Sequence, residues 1–416
     1  MTTLPAAAWT QRRDIADMLS AIDPDGGHFR FVGGAVRDTL LGLPVKDIDM
    51  ATTLLPERVI ERLAAASIKA VPTGLAHGTV TAVLEDGPIE ITTLRRDIDT
   101  DGRHAKVEFG TDWRDDAARR DFTINALYAE PATLELFDPF DGLADLNAGH
   151  VRFIGNAETR IREDYLRILR FFRFHARFGK GPPNTEALDA CAAGREGLKG
   201  LSRERIGAEL NALLALNNPL PAAQAMADAG IWAQILPEVQ ADGLARLARL
   251  LEREQESKQT GQAIVRLAAL LPRDRDAITR IAPRLRLSKK RLIALQELTG
   301  EPLADSRNIR SIAYRIGLDR AKHKALLDAD EGDWHRALLM LDDWQVPRFP
   351  VQGRDLLEQG MKPGPAISHL LGTIEKRWIA EGFPGADRVR ALVREALAIS
   401  NETNLPSDEG KRPNGD

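Results

Sequence analysis

The pattern of apolar and polar positions changes near residue 150 of this 416-residue chain. Before that point, short runs such as HFRFVGG, TVTAVL and IEITTL read as strands, and helical patterns such as PERVIERLAAA lie between them. After it, segments such as ARLARLLERE, QAIVRLAALL and KKRLIALQEL repeat apolar residues at intervals of three and four. The pattern predicts a multidomain α+β protein, with a mixed α/β head followed by an all-α remainder.

Two aspartates separated by one residue follow a glycine pair in the segment FVGGAVRDTLLGLPVKDIDM. Side chains at i and i+2 of a strand leave the same face, so Asp47 and Asp49 are expected to point to one place. Such a pair suits Mg²⁺, which binds one or two carboxylates together with substrate phosphates. Gly33 and Gly34 let the backbone approach a phosphate closely, and Arg37 offers a planar fork of donors. Each piece alone is common in turns and loops, but their order indicates metal-dependent nucleotidyl transfer.

A second candidate lies in the run EDYLRILRFFRF. On a helix that starts near Glu163, Asp164 and Arg167 are three residues apart and therefore neighbours on its surface. They could form only an exposed ion pair, which contributes little to stability. They could instead present an acceptor beside a donor, which matches the pairing edges of cytosine and adenine and leaves polar groups unpaired with uracil or guanine.

Six further motifs occur along the chain: GLAHGTVTAV, IEITTLRRD, RRDFTINAL and FDPFDG in the first half, then RLRLSKKR and FPVQGRDLLEQGMKPGP. With the two segments above, the chain resembles the tRNA nucleotidyltransferase and poly(A) polymerase family, in its bacterial (class II) branch. The resemblance is strong over residues 28–210 and weak beyond. It implies a polymerase-beta-like nucleotidyltransferase head. The implied divisions are an N-terminal helix (1–24), a catalytic head (25–148), a neck with the nucleobase-recognition helix (149–215), a helical RNA-binding body (216–330), a helical tRNA-binding tail (331–400) and a disordered C-terminus (401–416).

The resemblance also implies roles for individual residues. The Asp164 and Arg167 side chains would read the incoming base, and the helix continues toward phosphate or the RNA end. Glu90 is either a third carboxylate beside the metal pair or an exposed strand residue. Asp121 either contributes to nucleotide binding or caps the helix that follows it. The remaining nucleotide-binding candidates are Arg120, Asn125, Arg170 and Arg173.

The implied activity is addition of C, C and A to the 3′ end of tRNA from CTP and ATP, with Mg²⁺ and without a nucleic-acid template. A poly(A) polymerase is the first alternative, but the strand TVTAVL lacks the basic pair, aromatic and His typical of those enzymes. A CC-adding or A-adding enzyme is the second, yet Arg95–Gly110 looks like the flexible loop of full CCA-adding enzymes. A non-catalytic RNA-binding protein is the third, and the intact carboxylate pair argues against it.

Charge and composition change this picture little. The net charge of −4 argues mildly against a nucleic-acid partner, but residues 150–180 carry eight Lys or Arg against three acids, and residues 281–324 carry eleven against four. These clusters are either solvated helix faces or a track for an RNA backbone. A lone Cys191 cannot form an intramolecular disulfide. Asp14 and Asp17 are unlike a targeting peptide, and no apolar run suggests a membrane span. We therefore expect a cytoplasmic protein, with no protein partner implied.

Overall fold

The computed structural model describes residues 2–101, 104–330 and 332–403. These residues form two compact units. The first contains residues 1–251, 260–272 and 276–289, and the second contains residues 252–259, 273–275 and those from 290 onward. None of the helices in the described ranges is long and apolar enough to cross a membrane.

The amino-terminal part of the first unit is the α/β head. Its strands are β1 (Phe29–Val32), β2 (Asp49–Thr52), β3 (Lys69–Gly74), β4 (Thr79–Leu84), β5 (Gly87–Thr93), β6 (Arg95–Asp101), β7 (His104–Phe109), β8 (Tyr128–Ala129) and β9 (Leu136–Phe137). Its helices are α1 (Arg13–Ile22), α2 (Gly34–Leu40), α3 (Pro56–Ala65), α4 (Trp113–Ala118) and α5 (Gly142–Ala148), and a 3₁₀ turn spans Thr123–Asn125. In the glycine and aspartate segment, β1 and β2 flank α2, and the strand expected to contain both aspartates begins at Asp49, so Asp47 and Ile48 precede it.

The sheet register brings the ends of several strands together. In the described part of the chain, seven strands form one sheet in the order β3-β4-β5-β2-β1-β8-β9. Val32, the last residue of β1, pairs with Asp49 on one side and with Tyr128 on the other. Strand β2 is parallel to β5, and this register sets Asp49 opposite Glu90. The glycine pair that follows β1 therefore lies beside the first residue of β2.

The rest of the first unit is helical, as predicted. Its helices are α6 (Ala157–Glu163), α7 (Leu166–Phe178), α8 (Thr185–Gly194), α9 (Arg203–Leu214), α10 (Leu220–Asp228), α11 (Trp232–Ile235), most of α12 (Ala241–Glu256), α13 (Ala263–Leu270) and most of α14 (Arg275–Arg284). Aromatic rings fix α7 to the head, because Phe122 lies 4.9 Å from Phe153 and 5.2 Å from Phe174 between ring centroids. Since Phe122 follows Asp121, this packing places the polar side of α7 next to the head's polar residues.

The second unit is also helical. It contains most of α15 (Lys289–Thr299), then α16 (Ile309–Ile316), α17 (Leu318–Asp328), α18 (Asp333–Leu341), α19 (Gly353–Glu358), α20 (Pro365–Ala380) and α21 (Ala386–Thr403). The last three helices share a core around Leu356, Ile374 and Leu392, each with 0% of its surface exposed. Helix α21 extends into the segment predicted to be disordered, and residues 404–416 lie outside the described residues.

Two local predictions are wrong. The run Arg96–His104, expected to be a loop, contributes to the two-stranded antiparallel ribbon of β6 and β7, although residues 102 and 103 lie outside the described residues. The helix expected to start near Glu163 begins at Leu166 as α7, and α6 ends at Glu163. Asp164 lies between them with extended backbone angles (φ −155°, ψ 104°), so it is not on the helix surface.

Candidate active site

Most of the predicted site residues line one open cleft of the first unit. The cleft has a volume of about 600 Å³. Its lining residues are Gly33, Gly34, Arg37, Asp47, Asp49, Arg120, Asp121, Asn125, Asp164, Arg167, Arg170 and Phe174. Two predicted residues, Glu90 and Arg173, are not part of this lining. The cleft joins the strand ends of the head to the start of α7.

The carboxylate pair forms one wall of the cleft. Asp47 is exposed just before β2, Ile48 is buried with 7% of its surface exposed, and Asp49 is half-buried as the first strand residue. Burial raises the pKa of Asp49, and the negative charges of Glu90 and Asp47 raise it further, while Arg120 opposes them. A bound cation would stabilise the ionised form of Asp49 against this burial and these negative charges.

Glu90 lies beside this pair without completing a three-carboxylate cluster. It is exposed on β5, opposite Asp49 in the register, and its charge acts on Asp49. Among the described residues, no group of three or more His, Cys, Asp or Glu side chains is arranged to hold a metal ion. Two carboxylates with an open side remain, which is the donor set that Mg²⁺ uses when substrate phosphates supply further oxygens. The role of Glu90 stays a prediction.

The glycine pair provides the floor of the cleft. Gly33 has a φ of +70°, a backbone conformation that residues with a Cβ atom rarely adopt. A Cβ atom built at Gly33 would lie 3.3 Å from Nη1 of Arg120. A side chain at this position would therefore strain the backbone and push aside the guanidinium group of Arg120, which lines the cleft.

A chain of hydrogen bonds connects α2 of the head to α7. Arg37 is buried, and its Nη1 donates to Oδ1 of Asn125. Asn125 Nδ2 in turn donates to Oδ1 of Asp121 at 2.9 Å, and Arg170 Nε donates to Oδ2 of Asp121 at 2.6 Å. Burial alone would raise the pKa of Asp121, but the charge of Arg170 and the bonds from Asn125 and Arg170 hold it below its usual value. The Asp121 carboxylate is therefore ionised and fixed between two elements.

Asp121 does not cap the helix that follows it in the usual way. The 3₁₀ turn at Thr123–Asn125 has Phe122 as its N-terminal cap residue, without a side-chain capping bond. Asp121 Oδ1 accepts from the Phe122 backbone N–H at 2.9 Å, so the carboxylate serves the turn and the cleft together. The carboxylate therefore contacts the turn without capping it, and its role in nucleotide binding stays a prediction.

Asp164 and Arg167 both face the cleft, but they are held by different partners. Arg205 of α9 donates to Oδ2 of Asp164 at 2.6 Å. Arg167 Nη1 donates to Glu163 Oε2 at 2.7 Å, and its Nη2 donates to the Arg119 carbonyl oxygen at 3.0 Å. No ion pair joins Asp164 to Arg167 in the described part of the chain, so the alternative of a helix-surface salt bridge between them is wrong. The structure instead presents a fixed acceptor and a fixed donor separately.

Phe174 is a cleft residue that was not predicted. It lies one turn beyond Arg170 on α7, and the guanidinium carbons of Arg170 and Arg173 are 5.1 Å and 4.5 Å from its ring centroid. Arg173 Nε also donates to Oε2 of Glu209 at 2.6 Å. The four-residue spacing from Arg170 to Phe174 is the sequence signal that could have found this contact.

Comparison with known proteins identifies relatives of this chain. A family model described as the poly A polymerase head domain matches residues 29–152, and one described as the probable RNA and SrmB-binding site of polymerase A matches residues 184–242. The mitochondrial CCA tRNA nucleotidyltransferase 1 of Mus musculus is 37% identical over 375 residues, covering 86% of this chain and 84% of the mouse protein. The chain belongs to the CCA tRNA nucleotidyltransferase family.

Bacterial members of the CCA tRNA nucleotidyltransferase family are similar over almost the whole chain. The CCA-adding enzyme of Levilactobacillus brevis is 31% identical over 388 residues, covering 88% of this chain and 93% of that protein. The crystal structure of the Bacillus stearothermophilus CCA-adding enzyme in complex with CTP superposes with a TM-score of 0.75 at 26% identity, covering 94% of this chain and 99% of that one. The likeness therefore includes the helical remainder as well as the head.

Proposed function

We propose that this protein is a CCA-adding enzyme. It adds C, C and A to the 3′ end of tRNA from CTP and ATP, without a nucleic-acid template, and releases pyrophosphate. The observation that carries this proposal is that one cleft contains the carboxylate pair, the side chains suited to phosphates and the Asp164 and Arg167 pair. An enzyme that transfers only C and A needs these three sets of groups within reach of one nucleotide.

Asp47 and Asp49 are the residues that would hold Mg²⁺. Their oxygens are the donors this ion prefers, and a cation beside them would offset the burial and the neighbouring negative charges that raise the pKa of Asp49. When bound, the ion polarises the reacting oxygens of the RNA 3′-hydroxyl and the α-phosphate. Glu90 would contribute a further negative charge beside this site as a catalytic residue.

The other residues of the cleft would bind and orient the nucleotide. Arg37 and Arg120 would contact the triphosphate above the glycine pair, since arginine forks match phosphate oxygens. Asp121 and Asn125 would bind the ribose hydroxyls. The carboxylate of Asp164 would accept from the exocyclic amine of the base. Arg167 would donate to the ring-nitrogen acceptor of the base. Arg170, and Arg173 outside the cleft lining, would contact phosphate or the RNA end.

The helical parts would bind tRNA. We assign RNA contacts to a body (216–330) and a tail (331–400), beyond a neck that ends at residue 215. The cluster of eleven Lys or Arg against four acids at residues 281–324 supports this assignment, because attraction to phosphates depends on local positive charge. A cytoplasmic location is also proposed, on the basis of the single buried Cys191, which needs no oxidising compartment.

The test is the sequence of the product. A tRNA that lacks its 3′ end is incubated with CTP, ATP and Mg²⁺, and the extended ends are sequenced. The proposed function predicts CCA ends. A run of A would indicate a poly(A) polymerase, an end stopped at CC or lacking C would indicate a partial enzyme, and tRNA binding without extension would indicate an RNA-binding protein.

The carboxylate pair is tested in the same assay. Asp47→Ala and Asp49→Ala should each abolish addition of both nucleotides, because each removes an oxygen ligand from the metal site. Asp17→Ala, a change at an exposed aspartate of the head, is the matched control. If either cleft variant keeps more than a few per cent of the parent rate with CTP, the pair is not the metal site.

A further inference from the structure

A buried carboxylate outside the cleft lining contacts Arg120, one of the arginines that line the cleft. Asp116, on α4, has 1% of its surface exposed and is not part of the cleft lining. Its Oδ2 accepts from the Tyr128 hydroxyl at 2.7 Å and lies 3.3 Å from Arg120 Nη2. Its Oδ1 accepts from Arg119 Nε at 2.8 Å. One side chain of α4 thus connects two consecutive arginines with the first residue of β8.

Arg120 is held at each nitrogen of its guanidinium group. Its Nε donates to the Tyr128 hydroxyl at 3.1 Å, its Nη2 to Asp116, and its Nη1 to the Asn125 carbonyl oxygen at 3.5 Å. The guanidinium carbon also lies 5.3 Å from the centroid of the Tyr128 ring. Because the Tyr128 hydroxyl donates to Asp116 and accepts from Arg120, the three side chains form one closed arrangement. Few other orientations of the Arg120 fork would keep these bonds.

The position that results is close to the metal site. Arg120 and Asp49 both line the cleft, and Asp49 pairs with Val32, the residue before Gly33. Nη1 of Arg120 is also the atom that a Cβ atom at Gly33 would approach. Arg120 therefore lies beside Gly33 in the cleft that also contains the carboxylate pair, where a triphosphate would bind.

We propose that Asp116 and Tyr128 are positioning residues for nucleotide binding, which act by orienting Arg120 toward the triphosphate. This inference rests on the proposed function only in naming CTP and ATP as the nucleotides. An arginine that is already oriented loses less side-chain entropy when the nucleotide binds, so the affinity is higher than that of an unrestrained arginine. Neither positioning residue lines the cleft, so neither touches the nucleotide itself.

The first test is removal of one hydroxyl. Tyr128→Phe keeps the ring and deletes the atom that both Asp116 and Arg120 contact. We expect the Kd for CTP, measured by equilibrium dialysis without RNA, and the KM for CTP to rise about threefold to tenfold, the usual effect of losing one or two hydrogen bonds. The value of kcat should stay within about twofold, because the uniform binding of the nucleotide is what weakens. Thr93→Val is the matched control, since it deletes a buried hydroxyl of the same head that donates to the Leu54 carbonyl oxygen at 2.7 Å.

The second test asks whether the effect passes through Arg120. Tyr128→Phe and Asp116→Asn are each combined with Arg120→Ala, and the change in Kd is compared in the two backgrounds. A positioning role predicts that neither change weakens CTP binding further once the guanidinium is gone. An equal loss in both backgrounds, or an unchanged Kd in the Tyr128→Phe variant, would overturn the proposal. Thermal unfolding shows whether the Asp116→Asn protein is folded, and the tyrosine variant carries the test if it is not. Because dialysis needs no catalysis, a parent protein that binds CTP but makes no CCA end would refute the proposed function alone.

Discussion

Loss of Arg167 should make the protein less selective among nucleotides. Arg167 has five N–H donors. In the described structure, the carboxylate of Glu163 and the carbonyl oxygens of Arg160 and Arg119 accept from three of them. Two donors therefore remain to face a base, on a side chain with only 13% of its surface exposed. Arg167→Ala removes these donors and leaves Asp164 as the acceptor half of the recognition pair.

The size of the effect follows from losing one hydrogen bond between these donors and the acceptor on the pairing edge of the base. A hydrogen bond to a charged group contributes about 1.5–3 kcal/mol, which corresponds to roughly a tenfold to 150-fold change in kcat/KM. A site that leaves polar groups of the wrong base unpaired can reject it by a factor of about 10⁴. We therefore expect kcat/KM for CTP and ATP to fall by one to two orders of magnitude. The kcat/KM values for UTP and GTP should change much less. The ratio of kcat/KM for the correct nucleotides to kcat/KM for the incorrect ones should therefore fall by one to two orders of magnitude.

The assay is competition among all four nucleotides on a tRNA that lacks its 3′ end. A ratio of incorporation rates is needed because Arg167 also ties α7 to the head, so its loss can lower the amount of folded protein without affecting selectivity. Arg162→Ala is the matched control, since it removes an exposed arginine of α6 that pairs with Glu158. An equal fall in the incorporation rates of all four nucleotides would refute the recognition role. It would mean that Arg167 only stabilises the packing of α7 against the head.

Three further predictions concern the head. Deleting residues 97–106 from the ribbon of β6 and β7 should leave addition of CC nearly intact and abolish addition of the terminal A. The reason is that one pocket must bind first a pyrimidine and then a larger purine, and we expect movement of this ribbon to make that change possible. Sequencing of the products gives the fractions of CC and CCA ends. Glu90→Gln should move the acidic limb of the kcat/KM profile to lower pH, because a charge that raises the pKa of Asp49 is removed. Asp49→Asn should raise the free energy of unfolding near neutral pH in the presence of a chelator, as measured by urea denaturation.

Residues close together in the chain were predictable. The side chains of Asp47 and Asp49, the glycine pair and Arg37 lie within seventeen consecutive positions of one strand, helix and strand. Their proximity follows from the short connections between these elements, although Asp47 lies just before β2 and not within it. The resemblance then added the later motifs, and the structure brings most of them to the same cleft.

Contacts between distant positions were not predictable in the same way. Asp164 is held by Arg205, which is 41 residues away, so its partner depends on how α9 packs and not on any local period. The helix predicted to start near Glu163 begins at Leu166, so Asp164 precedes it, and no glycine or proline marks this boundary in the sequence. The charged run at Arg96–His104 suggested a loop, but pairing between β6 and β7 overrides that composition. The partner of Asp164 and the pairing of β6 with β7 are both set by tertiary contacts, which the local sequence pattern does not determine.

The stability prediction for Asp49 follows from the sign of its pKa shift. Burial and the charges of Glu90 and Asp47 raise the pKa of Asp49 in the folded protein above its value in the unfolded chain. The folded state therefore binds the proton more tightly, and this contribution to stability is present at low pH and lost as the pH rises through the folded-state pKa. Near neutral pH the ionised carboxylate destabilises the fold, and Asn removes that cost. The gain of the Asp49→Asn variant should shrink as the pH falls toward the acidic range, and it should also shrink when Mg²⁺ is added, because the ion stabilises only the parent protein. A gain that does not change with pH would mean that the effect comes from packing rather than from charge.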